Sequence, residues 1–361
     1  MKVYFIVFFL TLVLSIVLPS RTDKEWHWKL FVTFLPLFLF AALRVNFGND
    51  YDNYEMFFNE FHQNSFIFDD TSRSEIGYQF LCYIMPSFRS MLVLNAFMLC
   101  LALAVFIDKN VPRAYFWLAI VLIFLNPEKN IYGNLVGMRN GFVVTGFLLG
   151  FVLIQKRKLI AFIILTFALS TIHTAALLFL PLAYVVGRNK VFSERELAIW
   201  IFVIVALLAS SASGLINLAT PIVESYFDRY EYYLEMTTGH RGFLLTLSSI
   251  VLFALIIILV MDNRKVLTQE QNSLCRLGLV YVCSSFLGSL AIRANYFFDL
   301  FFIGTVISLF SMKKKKNSAI SWTLIILSFV MSLYSLRLYL TNAYVVGNPL
   351  YQVYTSIFGS W

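Results

Sequence analysis

The sequence predicts an all-α polytopic membrane protein with about 12 transmembrane helices, a single integral membrane domain over residues 1–361. Two observations carry this expectation. Of 361 residues, 60% are hydrophobic and 13% are charged, whereas an ordinary soluble protein carries about 25% charged residues. A soluble protein must still face water with its outer layer, and so little charge leaves no such layer. Second, apolar runs near the length that crosses a hydrocarbon core, about 20 residues, recur along the chain between short charged clusters. Residues 3–18, 90–107, 197–213, 243–261 and 321–340 are the clearest. These runs do not alternate as the strands of a membrane β-barrel must, so helices are the spanning solution.

Lys and Arg set the orientation. Lys156-Arg157-Lys158, Arg188 with Lys190, Arg264-Lys265 and the run Lys313 to Lys316 are dense basic clusters with little acid nearby, and the positive-inside bias assigns them to the cytoplasmic side. Residues 3–18 form the first span. They resemble a signal h-region, but no small-residue cleavage site precedes Pro19-Ser20-Arg21, so an uncleaved span is predicted. The second span, 30–43, leads into an acidic external loop over about residues 44–89, with Asp50, Asp52, Glu55, Glu60, Asp69, Asp70 and Glu75. Inside it, Ile76–Phe88 is apolar but too short to cross, and reads as an interfacial or re-entrant helix. Spans three to five are 90–107, 114–131 and 141–154. Leu159–Gly187 has basic clusters at both ends and too few residues for two full spans. Short helices over 159–172 and 174–186, turning near Thr171-Ile172-His173, solve this. Such broken helices are tolerated at membrane depth only inside protein or along a cavity. The span 197–213 precedes a second external loop, about 214–241, with Glu224, Asp228, Glu231 and Glu235. Spans over 274–292, 297–312 and 319–340 follow the one at 243–261, which puts both termini outside. The chain shows no internal repeat and no soluble domain.

A net charge of +8 raises nucleic acid as a partner. The basic clusters, however, sit between the apolar runs, so the expected partner is membrane lipid and no nucleic acid. Cys82, Cys100, Cys275 and Cys283 form no C-x-x-C pair and read as small core residues. The four histidines, His27, His62, His173 and His240, lack any ligand spacing. Asp50-Tyr51-Asp52 could hold a divalent ion, but aspartates in a Gly-Asn turn more often stabilise that turn. No metal and no cofactor are expected.

Ionisable residues at span ends are costly and therefore candidates for function. Arg44 ends the second span, Arg139 opens the fifth, His173 is at the tip of the short hairpin, and Arg293 lies between the tenth and eleventh spans. Arg229, His240 and Arg241 are in the second acidic loop. All fall on the external side, against the positive-inside bias. A guanidinium cannot deprotonate and its fork matches two phosphate oxygens, so Arg44, Arg139, Arg293 and Arg229 suit a lipid-linked diphosphate. The alternative is that each pairs with a loop carboxylate such as Asp50 or Asp228, or snorkels to head groups. His173, in otherwise apolar Ser170-Thr171-Ile172-His173-Thr174-Ala175, is either a packing residue or a general base, with Asp50 the other candidate base. Asp262 and Asp299 are the carboxylates near membrane depth, and neither is placed to serve His173. Aromatic content is 17%. The rings read either as an interfacial belt or as a sugar platform, with Asp52, Tyr54, Glu75, Tyr230, Tyr233 and Tyr296 as sugar-binding candidates.

Seven motifs stand in order along almost the whole chain: Arg44-Val45-Asn46-Phe47-Gly48-Asn49-Asp50-Tyr51-Asp52-Asn53-Tyr54, Glu75-Ile76-Gly77-Tyr78-Gln79-Phe80-Leu81, Arg139-Asn140-Gly141, His173-Thr174-Ala175-Ala176-Leu177, Arg229-Tyr230-Glu231-Tyr232-Tyr233, Arg293-Ala294-Asn295-Tyr296-Phe297 and Asn348-Pro349-Leu350-Tyr351. With these the sequence resembles the EpsG-like family of Wzy-type O-antigen and exopolysaccharide repeat-unit polymerases. It departs from the family in Gly48-Asn49-Asp50 for Gly-Thr-Asp, in Arg139-Asn140 for Arg-Gln, and in Thr174 and Ala175 beside the histidine. The resemblance implies a multi-pass glycosyltransferase of the GT-C type in the bacterial inner membrane, acting on the periplasmic or external face. It implies transfer of a growing chain from its undecaprenyl diphosphate to the non-reducing end of a new undecaprenyl-diphosphate-linked oligosaccharide. Neither a nucleotide sugar nor a metal is implied. A flippase and a chain-length regulator of the same pathway are the implied partners. A ligase acting on finished polymer, or a lipid-linked oligosaccharide flippase, are the alternative readings.

Overall fold

The computed structural model describes residues 2–63, 75–187, 191–213, 243–286, 289–312, 317–341 and 354–360. Among the described residues the chain is helical apart from a small sheet, and five helical segments are long and apolar enough to cross a membrane: Phe88–Asn110, Met138–Gln155, Leu245–Asn263, Ala294–Ser311 and Ser318–Thr341. This is the architecture of an all-α membrane protein. Shorter apolar helices cover Lys2–Val17, Arg113–Leu125, Leu159–Ser170 and Ala176–Gly187. The chain divides into two compact units, Met1–Val185 with Ser332–Trp361, and Val186–Met331.

The first unit opens with α1 (Lys2–Val17) and α2 (Asp23–Ala42). Thr22 and Glu25 close a capping box that starts α2 ahead of its apolar run. A two-residue strand, β1 (Arg44–Val45), follows. It pairs with β2 (Thr355–Ser356), which pairs in turn with β3 (Gly359–Ser360). Tyr354 stacks on Phe40 at 4.8 Å and donates to the Phe40 carbonyl, which fixes this strand against the end of α2. Then come α3 (Tyr51–Gln63), α4 (Ile76–Ile84) and α5 (Phe88–Asn110). The predicted non-spanning helix is therefore present as nine-residue α4, ended by Met85-Pro86. Phe58, Tyr78, Cys82, Met91 and Phe142 meet in the apolar core beneath α3 and α4.

The expected fourth span, 114–131, is not one helix. After a short 3₁₀ turn, α6 covers only Phe116–Leu125, followed by a π turn over Glu128–Tyr132, α7 (Gly133–Val136) and α8 (Met138–Gln155). Pro127 explains the break, because the residue before proline is pushed out of helical conformation, and Asn126 has φ −117° and ψ 62°. The freed polar groups are met internally: the Asn126 amide donates to the Leu122 carbonyl and to Ser332.

Short helices α9 (Leu159–Ser170) and α10 (Ala176–Gly187) flank the break at residues 171–175. Phe162 and Tyr184, each about two turns from the break, have ring centroids 5.2 Å apart. The chain thus doubles back on itself there, as the basic clusters at both ends predict.

The second unit contains α11 (Glu194–Ser213), α12 (Phe243–Asn263), α13 (Gln269–Ser284), α14 (Ser289–Ser311) and most of α15 (Ser318–Thr341). The predicted boundary between spans 274–292 and 297–312 is displaced. A capping box of Thr268 and Gln271 starts α13 early. At the other end the Ser284 and Ser285 hydroxyls donate back to the Tyr281 and Val282 carbonyls, a pattern that competes with the helix ladder. Arg293 lies within the first turns of α14 rather than between helices. Deep in this unit Arg276, fully buried, makes a bidentate pair with Glu196 and lies 4.3 Å from the Phe192 ring centroid.

Candidate active site in the first unit

The site is built by a close approach of α4 to the α9–α10 break. The Gly77 amide donates to the Thr171 carbonyl at 2.7 Å. A Cβ at Gly77 would stand 2.7 Å from that same oxygen and 2.2 Å from Thr171 Oγ1, so no side chain fits. This contact lays Glu75, at the start of α4, onto the break. Glu75 Oε1 accepts from His173 Nδ1 at 2.9 Å and from the Thr174 amide at 3.1 Å. Its other oxygen, Oε2, accepts from Arg139 Nη1 at 2.7 Å. Arg139 is the second residue of α8, held there because α8 packs tightly on α7. A Cβ at Gly141 would be 2.0 Å from the Asn134 carbonyl.

The three side chains are 15% (Glu75), 14% (His173) and 22% (Arg139) exposed, sheltered but not sealed from solvent. Burial raises the Glu75 pKa, but the His173 hydrogen bond, the Arg139 charge and the Thr174 amide outweigh it and bring the carboxyl down to about 2. Glu75 is therefore a carboxylate throughout the neutral range. An imidazole facing a carboxylate through Nδ1 donates its proton there, which leaves Nε2 as the basic ring nitrogen. Tyr54, buried on α3, completes the cluster beside Arg139. Burial raises its phenol pKa while the Arg139 charge opposes the rise. Tyr78 packs edge-on against Tyr54 with centroids 5.7 Å apart.

The structure thus brings together Arg139, His173, Glu75 and Tyr54. Glu75 was expected on a sugar, and no carboxylate was expected to serve His173. The Oε1 bond corrects the second reading, since a carboxylate does serve His173. Asp50 is exposed in the turn before α3, with its backbone carbonyl accepting from the Tyr54 amide, and Asp52 is exposed on the first turn of α3. Gly48, at φ +94°, makes that turn possible. Arg44 is not part of the cluster. It is 1% exposed and donates to the Ala41 carbonyl at 2.7 Å, the Leu135 carbonyl at 2.8 Å and Asn95 Oδ1 at 3.5 Å. A guanidinium so enclosed ties the end of α2 to α7 and does not present its fork to a ligand. Tyr296 is half-buried on α14, in the second unit. The Arg293 side chain, and Arg229, Tyr230 and Tyr233, lie outside the described residues. Among the described residues no three His, Cys, Asp or Glu side chains are grouped to hold a metal.

Within the first unit the cluster and the Lys156-Arg157-Lys158 run lie at opposite ends of α8. Arg139 is in the first turn of 18-residue α8, and Lys156-Arg157-Lys158 follows its last residue, one helix length, roughly 26 Å, away. Gln155 donates to Asn110, so the ends of α8 and α5 share one side. On the other side Arg89, at the start of α5, donates to the Ala42 and Arg44 carbonyls at the end of α2.

Neither the curated proteins nor the solved structures hold a match to this chain. The sequence profile of the EpsG family matches residues 27–356, a stretch that contains every element of the cluster. The chain belongs to the EpsG family.

Proposed function

We propose that this chain is a membrane polysaccharide polymerase that joins oligosaccharide repeat units carried on undecaprenyl diphosphate, with His173 as general base and Arg139 as a diphosphate contact. Family membership implies the polymerase-like role. The observation that carries the finer reading is one carboxylate, Glu75, bonded to both an imidazole and a guanidinium.

In this reaction the acceptor hydroxyl attacks the anomeric carbon of the donor chain. The new glycosidic C–O bond forms as the bond from that carbon to the lipid diphosphate breaks. The hydroxyl proton passes to His173 Nε2, and the departing diphosphate carries the electron pair. Two demands follow: a base near neutral pH and positive charge at the leaving oxygens. Arg139 supplies charge at the N-terminal end of α8, where the helix dipole adds to it. Arg293 is proposed for the second diphosphate. Arg229, with Tyr230 and Tyr233 of the second acidic loop, and Asp52, Tyr54 and Tyr296 remain candidates for substrate contact. Asp50 stays the alternative base, while Arg44 is reassigned to tying the end of α2 to α7.

Sidedness supports action on the periplasmic or external face, since the cluster lies about one helix length from Lys156-Arg157-Lys158. Depth supports it too. At 12 residues, α9 reaches about 18 Å from that basic side, short of the roughly 30 Å core. His173 would then lie below the far surface, where α4 dips to meet it and the break's polar groups are satisfied. About 12 crossings in a GT-C-like arrangement remain the proposed full topology.

The test is a gel of lipid-linked glycans from cells with the gene deleted and then restored. Single repeat units on the lipid, with the ladder lost and recovered, support a polymerase. Repeat units accumulating on the cytoplasmic face point to a flippase. Full-length polymer left on its lipid points to a ligase, and an unchanged ladder refutes all three.

A further inference from the structure

Glu75 is shared between two partners, one on each oxygen, and that sharing has consequences for the order of events. With Arg139 on Oε2, the carboxylate's charge is compensated, so His173 on Oε1 faces a neutral pair. Among the described residues, the group against the ring is Glu75 from α4, and the titratable groups linked to that carboxylate's other partner, Arg139 from α8, are Tyr54 from α3 and Tyr78 from α4, with Asp50 beyond Tyr54. Arg139 is the single cation in that set.

We infer that Glu75 is a positioning residue that couples donor binding to the base: a diphosphate drawing the charge of Arg139 leaves Glu75 uncompensated beside His173, and the imidazole becomes a stronger base only when a donor is in place. This rests on the proposed diphosphate role of Arg139. The physical basis is that a full opposite charge within hydrogen-bond distance favours the protonated ring, and that a neutral ion pair at the same distance does so far less. The backbone supports it, because the Thr174 amide also holds Oε1 at 3.1 Å, which keeps the carboxylate on the His173 side when Oε2 loses its partner.

The experiment uses the full chain in detergent, labelled with ¹⁵N-histidine and titrated with farnesyl diphosphate, whose binding is followed separately by calorimetry. With four histidines in the chain, the His173 ring nitrogens are identified by their loss in His173→Gln. In the unsubstituted protein the ligand is expected to move the His173 Nδ1 and Nε2 resonances toward the stronger hydrogen bond. In Arg139→Gln the ring should sit at the shifted position without ligand and stay there. In Glu75→Gln the ligand should leave the ring unmoved. Binding with no movement in the unsubstituted protein overturns the coupling and leaves the phosphate role of Arg139 standing. Equal movement in Glu75→Gln overturns it too, since the ligand would then act on His173 directly. Absence of binding overturns both. The titration of the unsubstituted protein decides the matter if a variant fails to fold.

Discussion

Gly77→Ala tests whether the approach of α4 to the α9–α10 break assembles the site. The added methyl would stand 2.7 Å from the Thr171 carbonyl oxygen, about 0.7 Å inside the 3.4 Å of ordinary contact. Thr171 Oγ1, at 2.2 Å, can rotate away, but the carbonyl belongs to backbone that also accepts the Gly77 amide. Relief therefore requires α4 and the break to part by several tenths of an ångström, which stretches Glu75 from His173 and Thr174. Overpacking of this kind costs about 1–3 kcal/mol of stability, whereas a misplacement approaching 1 Å in a catalytic array costs on the order of 10²-fold in rate. The effect on activity should thus exceed the effect on folding. The assay compares ladder formation with protein recovered from membranes. A folded Gly77→Ala with loss of most polymer is expected. A wild-type ladder at wild-type protein level would refute the role given to this contact.

Other consequences can be checked in the same preparations. Arg139→Gln should abolish polymer with the protein still in the membrane, and Arg139→Lys should recover only part of it, because an ammonium lacks the planar fork. The Glu75 carboxyl is held below its ordinary value of 4.5, down to about 2, so its contribution is complete above about pH 4.5 and is lost as pH falls toward 2. By this sign, thermal unfolding in detergent should be flat from pH 7 to 5 and fall below that by up to about 3 kcal/mol, a component absent in Glu75→Gln. In the second unit, Glu196→Ala strands the fully buried Arg276 and should cost about 3–5 kcal/mol, read as lost yield of folded protein.

Much of the helical pattern is legible because lipid demands long apolar runs, and basic clusters punctuate them. The short α4 and the turn at residues 171–175 follow from length alone, since neither Ile76–Phe88 nor Leu159–Gly187 holds enough residues for full spans. Local chemistry hid the rest. Pro127 broke the span expected over 114–131, Thr268 with Gln271 started α13 upstream of its apolar run, and α14 starts at Ser289 and so includes Arg293.

At the site, Arg139 and His173 are visible as charged residues where charge is costly. Their link is not, because Glu75 lies 98 residues from His173 and 64 from Arg139. One signal was available: Glu75-Ile76-Gly77 puts a glycine two residues from an acid on a helix too short to span, a combination that fits a close approach of backbones. Arg44 carried the opposite lesson. An arginine at a span end reads as a ligand contact, yet neighbouring carbonyls took its donors.

The most direct test of the account is reconstitution. Purified protein in vesicles is given a lipid-linked repeat unit, with no nucleotide sugar, and products are resolved by length. The account predicts a ladder from the unsubstituted chain and none from His173→Gln or Arg139→Gln. No ladder from the unsubstituted chain, or an undiminished one from both variants, would contradict it.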